Sequence, residues 1–143
     1  MNPLQLAFPA DLHYLVEHDV WARLEGDGSA TVGITALGIK LSGEIYMCRV
    51  KPVGSTIGQG RAVAVVELAK AIVSVKSAVT GEVLQVNPLL EETPELVHRD
   101  PYGDGWLARL APRDFDSDSR HLVQGADAIE AMERHAKALE RPE

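Results

Sequence analysis

The chain has 143 residues, 45% of them hydrophobic and 24% charged, a composition that suits one domain with a real core. Its formal net charge of −7 repels nucleic acid phosphates and sets nucleic-acid binding aside. The single cysteine, Cys48, excludes an internal disulfide and a multi-cysteine metal site.

No apolar run approaches the length of a membrane span, and the N-terminus lacks the basic and apolar stretches of a signal peptide. The expectation is a cytoplasmic, reducing compartment with no membrane partner. Net negative charge favours encounter with partner enzymes that carry basic entrances, although it also simply keeps a protein soluble. Aromatics make up only 5% of the chain, so Val, Leu, Ile and Ala must build the core.

Residues 1–10 carry two prolines and read as a loosely attached lead-in. From Trp21 the pattern turns to strands: Trp21, Arg23 and Glu25 alternate with Ala22 and Leu24, and Gly26-Asp27-Gly28 makes a turn. Ala30, Val32 and Ile34 form the next alternating face. Leu37 and Leu41 lie four apart, which predicts one or two helical turns over Ala36 to Leu41. Glu44 to Val50 reads as a strand. Gly54, Gly58 and Gly60 punctuate a loop before a strand at Ala62 to Val66. Ile72 to Val75 returns, Gly81 turns, and Glu82 to Val86 runs out again.

A short helix is expected within Pro88 to Val97, and a final strand at Trp106 to Leu110. Ile129, Met132, Ala136 and Leu139 then form one stripe of an amphipathic helix, with Pro142 beyond its end. That stripe is expected to pack on the rest of the domain. Short strands at near-regular spacing, with turn signals between them, predict a small antiparallel sandwich or barrel.

The stretch Val65-Val66-Glu67-Leu68-Ala69-Lys70-Ala71-Ile72-Val73 is the most informative. It sets a lysine between two apolar runs, with no glycine, proline or asparagine to make the turn. Both runs read as buried strands, so the reversal must put Lys70 into water. Taken alone, such a lysine is most often a plain solvated turn residue. Lys76, six residues on, falls inside the returning strand, where a modifying enzyme would reach it less easily.

Several other segments surround this hairpin in a characteristic order. They are Glu17-His18-Asp19-Val20-Trp21, Val32-Gly33-Ile34-Thr35, Leu41-Ser42-Gly43-Glu44-Ile45, Pro52-Val53-Gly54 and Val79-Thr80-Gly81-Glu82-Val83. Asn87, Pro94-Glu95-Leu96-Val97 and Asp100-Pro101-Tyr102-Gly103-Asp104-Gly105-Trp106 complete the series. From about Asp11 to Leu110 the chain resembles the H protein of the glycine cleavage system, a lipoyl-carrying shuttle. The block at residues 100–106 is the most specific piece.

The resemblance implies a mainly β barrel-sandwich hybrid, as in lipoyl and biotinyl domains: two antiparallel sheets, short helices and the C-terminal amphipathic helix. It implies a lipoyl domain over residues 11–112, with a helical segment over 113–143 packed on the same domain. It also implies a non-enzymatic, monomeric carrier with lipoic acid attached covalently to Lys70. The implied partners are a lipoyl-attaching enzyme, dihydrolipoamide dehydrogenase, glycine decarboxylase and aminomethyltransferase.

In the family, the segment matching residues 17–21 reads Glu-His-Glu-Trp, and its second glutamate is implied to help hold the aminomethylated arm in a surface cleft. Here that position is Asp19, and Val20 is inserted before the tryptophan. A one-residue shift in a strand turns every later side chain to the opposite face. Glu17, His18, Asp19 and Glu67 are therefore candidate contacts of the arm, with an altered amine recognition expected.

Leu68-Ala69 replaces the usual Ser-Val before the lysine, and Arg49-Val50-Lys51-Pro52 brings positive charge to a surface that is normally acidic. These departures slightly favour the related lipoate-binding proteins of sulfur oxidation, which work with a heterodisulfide-reductase-like complex. An unmodified interaction module is the third account. The five histidines show no metal-ligand spacing, and no catalytic residue is expected. Cys48 lies in an apolar run and reads as a small buried hydrophobe. Trp106 is expected to anchor the last strand against the core.

Overall fold

A computed structural model describes residues 8–140. The chain runs through β1 (His13–Leu15), β2 (Val20–Leu24), β3 (Ala30–Ile34), helix α1 (Ala36–Ser42), β4 (Met47–Val50) and β5 (Thr56–Ile57). Then come β6 (Ala62–Glu67), β7 (Ile72–Lys76), β8 (Gly81–Val86), α2 (Leu96–Arg99) and β9 (Ala108–Pro112). The described part closes with α3 (Phe115–Asp118), β10 (Val123–Gln124) and α4 (Gly125–Glu140). A seven-stranded sheet has the order β10-β1-β2-β3-β9-β8-β5, and a three-stranded sheet the order β4-β6-β7. Every ladder between these strands is antiparallel, as the sequence pattern predicts.

The larger apolar cluster draws on both sheets, with Val32, Val63, Val66, Val83 and Leu110 among its members. Val, Leu, Ile and Ala dominate it, as the low aromatic content requires. A second cluster joins Phe8, Tyr14 and Trp21 to Leu37 of α1 and Met132 and Ala136 of α4. The β2 strand therefore buries side chains on both of its faces. Val20 and Ala22 belong to the larger cluster and Trp21 to the second, which corrects the simple inside–outside alternation expected there.

Trp21 also explains Gly33. The two residues pair across β2 and β3, and a Cβ on Gly33 would sit 2.5 Å from the indole ring. The indole N–H donates to the Ile34 carbonyl at 3.1 Å, so its one polar atom is satisfied. Trp106 is not the core anchor that the sequence suggested. It is only partly buried, at the edge of the second cluster, with the Arg109 guanidinium 5.4 Å from its ring centre. The fully buried tryptophan is Trp21.

Other elements take their expected places with adjusted bounds. The expected strand at Glu44 to Val50 begins only at Met47, because Gly43 ends α1 with φ 78° and the Ile45 N–H donates to His98 Nε2 at 2.8 Å. In α4, Ala128, Met132 and Ala136 are buried, whereas Leu139 is 49% exposed: the helix has left the sheet by then. Pro142 and most of the lead-in lie outside the described residues, although Phe8 is buried and Pro9 accepts the Tyr14 hydroxyl at 2.6 Å. The C-terminal segment is tied down by Asp118, whose carboxylate accepts the Thr80 N–H at 2.6 Å and the Thr80 hydroxyl at 3.1 Å.

The block at residues 100–106 is a closed loop. A Cβ on Gly103 would strike the Asp100 carboxylate, and one on Gly105 would strike the Leu96 carbonyl. Only glycine allows these approaches. The amide of buried Asn87 donates to the Asp104 and Trp106 carbonyls at 2.7 and 2.8 Å. The Tyr102 hydroxyl in turn accepts the Ala36 N–H at 2.9 Å, so the loop fixes the start of α1.

Candidate functional site: the Lys70 hairpin and its cleft

The β6–β7 hairpin closes through the Leu68 N–H, which donates to the Ala71 carbonyl at 2.8 Å. Neither Ala69 nor Lys70 has a positive φ, so the loop is not one of the primed turns that two-residue hairpins prefer. This is why no glycine or asparagine marks it in the sequence. Ala69, Lys70 and Ala71 are all exposed. Among the described residues no hydrogen bond or ion pair involves the Lys70 side chain.

The outgoing run is buried as expected at Val66, with Leu68 half-buried on the core, but the returning run is not, which corrects the sequence expectation there. Ile72 is 70% exposed and Val73 44%, and burial on β7 begins only at Val75. Residues 69–74 are therefore exposed, and Lys70 stands at the exposed tip. Lys76 ends β7, half-buried, with its ammonium donating to the Ser74 hydroxyl at 3.0 Å.

Beside the hairpin lies a cleft of about 350 Å³. Val66, Leu68 and Val73 form its hairpin wall, and Gly38, Leu41 and Ser42 of α1 the opposite one. His18 and Asp19 also line it. Glu17 is exposed and Glu67 half-buried, and neither is among the lining residues. Ser42 and Ser74 contribute polar atoms that the sequence did not single out. An apolar groove with a few polar groups suits an extended alkyl chain ending in a small polar cargo.

Asp19 is placed by its backbone. It closes a 3-10 turn at Val16–His18 and has φ 58° and ψ 42°, a left-handed conformation in which Asp is tolerated. Its N–H donates to the Val16 carbonyl at 3.2 Å, and its carbonyl accepts the Thr35 N–H at 2.9 Å. A Cβ on Gly38 would lie 3.0 Å from the Asp19 Cβ, so α1 packs directly on this residue. Val20, the residue inserted before Trp21, is the first residue of β2 and pairs with Ile34, directly after this left-handed turn.

The Asp19 carboxylate meets an unexpected neighbour. Its Oδ1 is 3.2 Å from His135 Nε2 of α4, an electrostatic contact without good hydrogen-bond alignment, and neither atom has another partner. Burial raises the Asp19 pKa above the usual carboxylate value; the opposing pulls of His135 and then His18 are weaker. His135 carried no motif, because only the packing of α4 brings it to Asp19. Cys48 is buried, which pushes its thiol up to about 12. Among the described residues no group of three or more His, Cys, Asp or Glu side chains is placed to hold a metal ion, and no helix is long and apolar enough to cross a membrane.

A small β-sandwich that presents one solvated lysine at a hairpin tip, beside a groove able to shelter an appended chain, is the architecture of a carrier domain. Residues 12–135 match the family model described as "Glycine cleavage H-protein". Glycine cleavage system H protein 2 of Aquifex aeolicus is 37% identical over 127 residues, covering 89% of this chain and 79% of the relative. The glycine cleavage system H protein of Thermus thermophilus is 41% identical over 128 residues, covering 90% of this chain and 98% of the relative. The crystal structure of a glycine cleavage system H protein from Mycobacterium marinum superposes with a TM-score of 0.67 at 29% identity, covering 74% of this chain and 87% of that one. The chain belongs to the glycine cleavage H-protein family. Proteins of this family are carriers and not enzymes, and they bear a covalently attached lipoate on a lysine.

Proposed function

We propose that this chain is a lipoyl carrier of glycine cleavage, with Lys70 as the attachment residue. The observation that carries the reading is the unpartnered, exposed Lys70 at the hairpin tip, next to the cleft lined by Asp19. When attached, lipoate supplies a dithiol on a long flexible arm that conveys a one-carbon amine unit between active sites. The partners of that reading are glycine decarboxylase, aminomethyltransferase, dihydrolipoamide dehydrogenase and the enzyme that attaches the arm.

The chain's own residues would act on the arm by position. Ala69 and Ala71 leave the lysine open to an attaching enzyme. Val66, Leu68 and Val73 offer the arm an apolar wall on which to lie, out of water. The Asp19 carboxylate supplies negative charge for a cationic amine, and the Ser42 and Ser74 hydroxyls supply hydrogen bonds.

The names of the relatives support glycine cleavage ahead of the sulfur-oxidation carrier that the sequence slightly favoured. One observation keeps that second reading in view: the Asp19 carboxylate is already engaged by His135, and a sulfur cargo needs no amine partner.

Intact-mass measurement of protein from its native host should show one lipoyl amide, lost in Lys70→Arg and retained in Lys76→Arg. In a reconstituted glycine cleavage assay the lipoylated protein should support turnover as an authentic H protein does. Normal lipoylation with negligible glycine turnover would hand the chain to the sulfur reading. No modification at either lysine would leave it an interaction module.

A further inference from the structure

A second depression, of about 600 Å³, lies at the far end of the three-stranded sheet from the Lys70 tip. Lys51, Arg61 and Lys76 line it, and none of its lining residues is an Asp or Glu. That is notable in a chain with 21 acidic and 14 basic residues. The backbone gathers these cations from three neighbouring stretches. The Lys51 N–H donates to the Val63 carbonyl at 2.9 Å, Ala62 pairs with Lys76, and the Arg61 carbonyl accepts the Ser77 N–H at 2.8 Å. An irregularity between Ala62 and Ala64 breaks the ladder there. Among the described residues none of the three makes an ion pair, and the Lys76 ammonium has only the Ser74 hydroxyl.

Protection of sheet edges accounts for part of this, because β4 and β7 are the edges of the three-stranded sheet and charged side chains discourage edge pairing. It does not account for Arg61, which precedes the central strand, or for the exclusion of every acid from the concavity. Lys51 and Arg61 are exposed, so solvent would weaken their hold on one small free anion. A surface bearing several carboxylates gains from all three cations at once, and gains most in orientation and rate of encounter.

We propose that the Lys51–Arg61–Lys76 depression is the docking site for an acidic surface on the enzyme that attaches the arm to Lys70. The proposal rests on the carrier reading above. That enzyme meets the protein before any arm exists, so it must find its target through the folded surface alone. Lys76 lies six residues beyond Lys70, roughly 20 Å at about 3.3 Å per extended residue. One interface of ordinary size, about 800 Å² per partner, spans that distance. Docking at one end of the sheet then presents the other end to the active site. It also places Lys76 against carboxylates, away from the activated acyl group, which explains why Lys70 and not Lys76 would be chosen.

The test uses the full-length, unmodified protein and the host lipoyl-attaching enzyme, with initial rates measured against carrier concentration. The triple variant K51E/R61E/K76E should raise KM at least tenfold at low salt while leaving kcat near wild type. Added salt should raise the wild-type KM steeply and that of the variant little. An exposed control with the same charge change, R99E/R134E/K137E, should behave like wild type, and circular dichroism melts check that both variants fold. An unchanged KM in K51E/R61E/K76E, with Lys70 still modified, overturns the docking site and leaves the carrier reading standing. An equal effect of the control variant overturns it in favour of overall charge. Inhibition of the wild type alone by millimolar inorganic phosphate, at constant ionic strength and with KM otherwise unchanged in the variant, would make the depression a small-anion site. Failure of the wild type to be modified at all overturns both the docking site and the carrier reading.

Discussion

His135 Nε2 lies 3.2 Å from Asp19 Oδ1, so the C-terminal helix α4 reaches the rim of the Lys70 cleft. The contact sits between two half-buried side chains, 22% and 19% exposed, on segments more than a hundred residues apart in the chain. It ties Asp19, the acidic residue among those lining the cleft, to the C-terminal helix. Changes in α4 therefore alter the charge that a bound arm would meet.

Asp19→Asn should stabilise the protein at neutral pH. Burial raises the Asp19 pKa in the folded state, so the native protein binds this proton more tightly than the unfolded chain does. The stability contributed by Asp19 is fully present below its unfolded value and is lost as pH rises through the folded one. Above the folded value the carboxylate is charged in both states, and its burial opposes folding. Asn tolerates the left-handed backbone and keeps a side-chain acceptor for His135. Melting temperatures from pH 4 to pH 8 should show a gain for the variant at the alkaline end that shrinks toward the acid end. A constant difference across the range would remove Asp19 as its cause.

His13 should make the fold sensitive to mild acid. Its imidazole packs edge-on against Phe115, with ring centres 5.0 Å apart, and its Nδ1 is buried without a partner. Burial lowers its pKa below the ordinary value of 6.5. The unfolded chain then binds this proton more readily than the native state, so stability is present above about pH 6.5 and falls as pH drops through the folded value. His13→Phe should flatten that fall relative to wild type in urea titrations at pH 7 and pH 5. Parallel losses in the two proteins would assign the acid sensitivity elsewhere.

The two tryptophans should differ in weight. Trp21→Ala removes a fully buried ring and its hydrogen bond to Ile34, which should cost about 3–5 kcal/mol. Trp106→Ala removes a half-buried ring at the edge of the second cluster, with Arg109 over it, and should cost roughly 1–2 kcal/mol. Chemical denaturation measures both. Gly33→Ala should cost about 1–3 kcal/mol, because the new methyl group meets the Trp21 indole.

Cys48 should be silent in the folded protein. Its thiol is buried and its pKa is pushed up to about 12, so almost no thiolate exists at pH 8. A thiol reagent should label unmodified protein only as fast as the protein unfolds. Rapid labelling without denaturant would show that β4 opens locally.

Much of this protein was legible in the order of its residues. The period-2 stretches and glycine turns implied an antiparallel sandwich, because burial of one strand face leaves its mark on every second residue. The Asp-Pro-Tyr-Gly-Asp-Gly-Trp block was also readable, since its glycines answer to approaches made within a few residues of Leu96 and Asp100. The lysine at residue 70 stood out because it sits between two apolar runs, flanked by Ala69 and Ala71, with no turn residue beside it. Other features depended on which surfaces come together in space. The sequence could not say that Trp21 rather than Trp106 would be fully covered, since that rests on α1 and α4 packing over the outer face of β2. Nor could it show that the run returning from Lys70 begins clear of the core, because an exposed Ile72 and a buried Val75 look alike in a list of apolar residues. Asp19 met His135, and Lys51, Arg61 and Lys76 met one another, only through long-range packing and strand pairing. Electrostatic neighbours depend on distance in space, and local sequence order does not encode it.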